Sequence, residues 1–159
     1  MLLDMNATPD PRTGPNLFFA SDHRRCDELW TKVEAAADTA DVGAAALAFS
    51  VFDAAMRQHL GLEEEILFPA LEDATGMRMG PTQVMRMEHQ QMRGVLDAMA
   101  RAIQGGDVDG LLDHGDTLMM LTQQHNVKEE GILYPMAERA FAGPAWGELA
   151  EKIARQYVG

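Results

Sequence analysis

The sequence predicts an all-α fold: an up-down-up-down four-helix bundle closed by a short C-terminal helix. Three observations predict it. Apolar residues recur at spacings of three and four along four long stretches, the period of a helix with one buried face. Strand signals are weak, because aromatics make up only 6% of the chain, β-branched residues are sparse and strict alternation is absent. The breaks between the long stretches are short, which favours antiparallel neighbours.

Residues 1–15 carry Pro9, Pro11 and Pro15 with little apolar content and read as an irregular arm, leaving 16–159 as a single bundle domain. The first helix is expected over 17–37, with Phe19, His23, Cys26, Trp30, Val33 and Ala37 inward. The second, over 41–71, turns Ala48, Phe52, Ala55, Met56, His59, Leu62, Glu63 and Ile66 inward and stops before Thr75-Gly76. Gly80-Pro81 opens a third helix over 82–103, with Met85, His89, Met92, Leu96, Met99 and Ile103 inward. Gly105-Gly106-Asp107 ends it. The fourth, over 109–141, presents Leu111, His114, Leu118, Leu121, His125, Glu129 and Ile132, and a fifth over 145–157 follows Gly143-Pro144.

The two halves repeat one pattern at an offset of 66 residues. His23 pairs with His89 and His59 with His125, so four of the five histidines belong to it. Gly14-Pro15 pairs with Gly80-Pro81, and Asp22 with Glu88. The run from His59 to Pro69 realigns with that from His125 to Pro135, laying Glu63 over Glu129. In the predicted topology His23 and His89 lie near the starts of their helices, and His59 and His125 in the second halves of theirs. All four therefore converge at one end of the bundle, on inward stripes.

His59/Glu63 and His125/Glu129 are i, i+4 pairs, roughly 40° apart on one helix face. Four imidazoles facing two carboxylates suit two metal ions, with the carboxylates as bridges. A solvent-derived bridging oxygen would leave one open position per ion. This donor set suits iron, and ligand type alone leaves zinc or manganese open. The ferritin-like Glu-x-x-His pairs do not occur, since Met56, Arg86 and Thr122 stand where those glutamates would be.

These residues resemble a hemerythrin-like (HHE cation-binding) domain over roughly 17–140. The resemblance rests on Asp22-His23 with Asp27-Glu28-Leu29, His59-x-x-x-Glu63-Glu64 ending in Phe68-Pro69, Glu88-His89, and His125-x-x-x-Glu129-Glu130 ending in Tyr134-Pro135. It implies a four-helix bundle around a non-haem di-iron centre, oxo- or hydroxo-bridged, with His23, His59, Glu63, His89, His125 and Glu129 as ligands. The implied function is binding or sensing of oxygen, nitric oxide or peroxide at an open iron position. Iron storage or delivery, including repair of damaged iron–sulfur clusters, is the alternative, and turnover is not read from the chain. Oxygen carriers of the family have a His-x-x-x-His pair on the third helix, where this chain has Arg93. That departure points toward the bacterial relatives linked to nitric oxide, peroxide or iron handling. The carriers also place their second bridging acid five residues after histidine, which would select Glu130. The i, i+4 geometry and the repeat favour Glu129.

The other polar residues take plainer expectations. His114 reads as a polar core or surface contact, and Cys26 and the methionines as core packing. Tyr134 reads as packing because its counterpart is Phe68, and Glu64, Glu65 and Glu130 as solvated or outer acids. A net charge of −12 with no Lys/Arg cluster argues against nucleic acid. No apolar run is long enough for a membrane span. One cysteine, with neither a basic n-region nor an apolar run at the start, makes the cytoplasm the expected compartment.

Overall fold

The computed structural model describes residues 8–159, and among these the chain is helical apart from short links, with no strand. The part of the expected arm at residues 1–7 lies outside the described residues. Residues 8–15 are less irregular than the prolines suggest: Pro11–Thr13 forms a 3₁₀ turn, and Pro15 opens the first helix. The helices are α1 (Pro15–Asp38), α2 (Val42–Leu62), α3 (Phe68–Thr75), α4 (Pro81–Gln104), α5 (Val108–Lys128), α6 (Tyr134–Ala140) and α7 (Pro144–Gln156).

Local chemistry sets these boundaries. Pro15, Pro81 and Pro144 occupy first-turn positions, where a missing N–H costs nothing. The Asp41 and Asp107 carboxylates accept from the N–H groups of Ala44 (3.0 Å) and Gly110 (2.8 Å), capping α2 and α5. Gly76 ends α3 with φ 71°, a left-handed conformation that disfavours any side chain.

The second and fourth predicted helices are not continuous α-helices. Each passes through one wide π-helical turn, Glu63–Leu67 and Glu129–Leu133, before resuming as α3 and α6. Phe68 N–H donates to Glu63 O and Tyr134 N–H to Glu129 O, each five residues back. The cause follows one residue later in both copies. Pro69 and Pro135 offer no N–H, and their rings crowd the carbonyl four residues earlier.

Side-chain pairs fix how the rods lie. His23 meets His59 at 4.6 Å between ring centroids and Trp30 meets Phe52 at 5.3 Å, so α1 and α2 run antiparallel. Thr82 bonds Glu72, His89 bonds Glu64, and Arg57 bonds Asp97, so α4 runs antiparallel to α2 and α3. His89 and His125, 4.8 Å apart, join α4 to α5.

The inward positions follow a strict 4-3-4-3 seam, the 3.5-residue period of coiled helices. Phe19, His23, Cys26, Trp30 and Val33 in α1 have Met85, His89, Met92, Leu96 and Met99 as counterparts in α4, and all are buried. Ala45, Phe49, Phe52, Met56, His59 and Glu63 have counterparts Leu111, Gly115, Leu118, Thr122, His125 and Glu129, again all buried. This corrects several expected positions. His114 is exposed and Gly115 takes its place inside, while Thr122 is buried more deeply than Leu121. A straight 3.6-residue helix favoured the wrong positions, because the seam drifts from it by about 30° over eleven residues. Ala37 and Ala48 are only partly buried. Ile132 is 56% exposed although its counterpart Ile66 is buried, because α7 packs over the first wide turn and covers Ile66.

Two apolar clusters result. One gathers Phe18, Phe19, Leu67, Phe68 and Leu133 with Trp146, Ala150 and Ile153 of α7; the other centres on Trp30, Phe52, Leu96 and Leu118. The Trp146 indole N–H also donates to Pro11 O at 2.9 Å. Buried polar groups lie between the clusters.

Candidate metal centre

That polar layer contains all six residues expected as ligands. His23 comes from α1, His59 from α2, His89 from α4 and His125 from α5, while Glu63 and Glu129 each open a wide turn. All are at least 95% buried, and both glutamates are wholly so. Glu63 Oε1 lies 3.2 Å from His59 Nε2 and 3.4 Å from His89 Nε2. Glu129 Oε1 lies 3.1 Å from both His125 Nε2 and His23 Nε2. Each carboxylate thus spans one imidazole of its own half and one of the other. Two sets have donor atoms close enough to share an ion: Glu63, His89, His125 and Glu129, and His23, His59 and Glu129.

The imidazoles are aimed by a closed ring of acids. His59 Nδ1–H donates to Asp22 (2.8 Å), His89 Nδ1–H to Glu64 (3.0 Å), His125 Nδ1–H to Glu88 (2.9 Å) and His23 Nδ1–H to Glu130 (3.0 Å). Each acid on one rod steers the histidine on the next, and Glu130 on the last rod steers the first. A proton on Nδ1 leaves Nε2 to face the cluster, as metal-binding histidines require. Arg93, at the place of the carriers' extra histidine, donates to both Glu64 oxygens (2.9 and 3.1 Å). Lys128 bonds Glu88, and the Tyr157 hydroxyl donates to Asp22 (2.6 Å).

Asp22 and Glu88 were visible only as motif neighbours of His23 and His89. The signal that could have found them is the repeat, which relates Asp22 to Glu88 and Glu64 to Glu130 just as it relates the histidines they hold. Of the two candidate acids on the last rod, Glu129 joins the inner cluster. Glu130 is partly exposed and faces outward to His23, and Glu65 is exposed. Exchanging Asp22 for Asn keeps the shape and removes the charge behind His59. Metal affinity should then fall about 10–100-fold, as a competition titration with a coloured chelator would read.

Tyr134 is not mere packing. Its wholly buried hydroxyl lies 2.8 Å from Glu63 Oε2, 3.0 Å from Glu129 Oε1 and 3.0 Å from His23 Nε2. Burial and the two carboxylates push its pKa well up, so the phenol keeps its proton and donates it to the acids. The repeat hid this, since Phe68 carries no hydroxyl.

The donor set fits a cation. Glu63 Oε1, Glu129 Oε2 and His59 Nε2 are buried without a hydrogen-bond partner, although ionic neighbours lie close. His89 Nε2 and His125 Nε2 face each other at 3.1 Å, an arrangement that needs a proton or metal between the lone pairs. Wholly buried carboxylates otherwise cost several kcal/mol each. Burial pulls the His89 pKa down, but bonds to Glu129, Glu63 and Glu64 outweigh it and hold it at about 10. Protons and cations compete for the same nitrogen. Metal uptake should therefore release protons and weaken as pH falls from 9 toward 6, which calorimetry in buffers of different ionisation enthalpy would check.

The family profile described as hemerythrin HHE cation binding domain matches residues 16–137. The chain belongs to the hemerythrin HHE cation-binding family. Neither the curated proteins nor the solved structures gave a match. The hemerythrin match spans α1 to α6 and so contains every residue of the inner cluster and the acid ring, while α7 with Tyr157 lies beyond it. No helix among the described residues is long and apolar enough to cross a membrane.

Proposed function

We propose that this hemerythrin-family chain is a non-haem di-iron protein, an up-down-up-down four-helix bundle that binds or senses oxygen, nitric oxide or peroxide. Its ligands are His23, His59, Glu63, His89, His125 and Glu129, with the two glutamates as bridges. One observation carries the reading. Four Nε2 atoms and two wholly buried carboxylates converge, with His59 Nε2, Glu63 Oε1 and Glu129 Oε2 left without a hydrogen-bond partner, in a layer walled by apolar clusters. Six nitrogen and oxygen donors match iron better than a single tetrahedral zinc.

Two iron ions would supply reversible redox chemistry and open coordination positions. The chain's own groups do the rest. The acid ring fixes the imidazole tautomers, and Tyr134 holds a proton beside both bridging carboxylates. A small cavity borders the cluster, lined by His23, Cys26, Met56, His59, Leu60, Met92, Thr122, His125 and Asn126. Its largely apolar wall leaves a space of about the size of one water beside the imidazoles. The single cysteine and acidic surface support a cytoplasmic protein that does not engage nucleic acid.

Protein grown with iron should contain two irons per chain and absorb in the near ultraviolet, with bands that move on adding azide, nitrite or peroxide. A colourless protein holding zinc after such growth would overturn the reading. Ready loss of iron to an apo iron–sulfur protein, with no response to azide, would favour iron delivery instead.

A further inference from the structure

We propose that Thr122 is the residue that selects among small ligands, donating a hydrogen bond to the outer atom of a small anion of the peroxide or azide class. The proposal rests on the ligand-binding reading above and deepens it.

The hydroxyl of Thr122 is buried and makes no hydrogen bond. That is unusual within this chain. Thr31, Thr75 and Thr117 each donate to the carbonyl four residues back, at Asp27, Leu71 and Asp113, the ordinary acceptor for a helical threonine. Thr122 is buried, yet forgoes that bond. A buried hydroxyl without a partner is costly, so a position that keeps one calls for a reason.

The cavity supplies it. Thr122 lies three residues before His125, on the same face of α5, and lines the space bordered by His23, His59 and His125. The cavity is built from residues that the repeat relates in pairs: Cys26 with Met92, Leu60 with Asn126, His59 with His125, and Met56 with Thr122. Two of these pairs change in chemistry, Leu60 to Asn126 and Met56 to Thr122, and the second sets a buried hydroxyl where the other half has a thioether. Burial pushes the Cys26 thiol up to about 12, so it remains an un-ionised, weak donor. The Asn126 amide is also a donor but is only partly buried, so Thr122 is the strong, buried donor among the non-ligand walls, and it stands on the His125 side.

A molecule held at the cluster by one end would extend its other end into this space. An outer atom with lone pairs and negative charge gains the Thr122 bond, whereas one with little charge gains almost nothing. Sites built to hydrogen-bond a ligand discriminate strongly because the unmatched group is left unpaired with the wrong one.

The test uses the full-length, iron-loaded protein and azide as probe, with Thr122→Val and Thr122→Ser. Valine keeps the shape without the hydroxyl, while serine keeps the hydroxyl. Azide affinity should fall about tenfold or more in the valine variant, and the antisymmetric stretch of bound azide should shift. Serine should restore both to near the wild-type values, and nitric oxide affinity should change less. Without metal, Thr122→Val should unfold at the same temperature as wild type or higher, because it removes an unpaired buried hydroxyl. Wild-type azide binding and stretch in the valine variant, or a serine variant as weak as valine, would overturn the proposal and leave the ligand-binding reading intact. Iron-loaded wild-type protein that binds no azide would overturn both.

Discussion

Glu63→Ala and Glu129→Ala should each cut the iron content of purified protein from two per chain to one or fewer, with the helical circular dichroism retained. Each glutamate spans two imidazoles from different halves, so its loss removes donor oxygen near both ion positions. The two variants should fall together, because the repeat gives the carboxylates equivalent surroundings: Glu63 between His59 and His89, Glu129 between His125 and His23. Without metal the carboxylates are paired with imidazoles that hold protons, so each substitution strands a buried positive charge and the metal-free variants should be less stable than metal-free wild type. Two irons per chain in either variant, counted by metal analysis, would remove that residue from the bridging role. Glu130→Ala offers the contrast. It deprives His23 of an outer carboxylate that is partly open to solvent, so iron content should hold and affinity alone should drop.

Trp30→Ala should be the most damaging substitution away from the centre, costing about 3–5 kcal/mol. At roughly 2–4 °C per kcal/mol, that lowers the thermal midpoint by about 10 °C or more. The indole is buried against Phe52 and reaches across to α5, where Gly115 makes room. A Cβ on Gly115 would stand 2.0 Å from Trp30 Cη2 and 2.3 Å from Cζ2, a contact that a rigid buried ring cannot relieve by bending. Gly115→Ala should therefore destabilise by about 1–3 kcal/mol despite alanine's better helix propensity. A Trp30→Leu background should tolerate it, and a double-mutant cycle by thermal or urea unfolding measures the coupling. Additive effects would place the strain elsewhere.

The residues that the sequence made plain are those whose chemistry and spacing agree. His59/Glu63 and His125/Glu129 share a helix face by elementary geometry, and an offset of 66 residues brings the other two histidines into register. What stayed hidden broke the repeat or looked like surface. Tyr134 and Thr122 differ in kind from Phe68 and Met56, so reasoning by symmetry made one a packing residue and gave the other no role. Gly115 has no hydropathy to announce a core position, because what places it inside is the bulk of Trp30 on another helix. The wide turns had a sequence cause in Pro69 and Pro135. A periodic pattern strong enough to predict a helix nonetheless carried the reading straight through them.

The circuit from Asp22 to His59, Glu64 to His89, Glu88 to His125 and Glu130 back to His23 has a consequence for assembly. A rod that swings away loses its own imidazole and at the same moment releases the neighbour it was steering, so partial docking gains little. Iron should accordingly enter as a pair, in one sigmoidal step, and singly occupied molecules should stay rare throughout a titration.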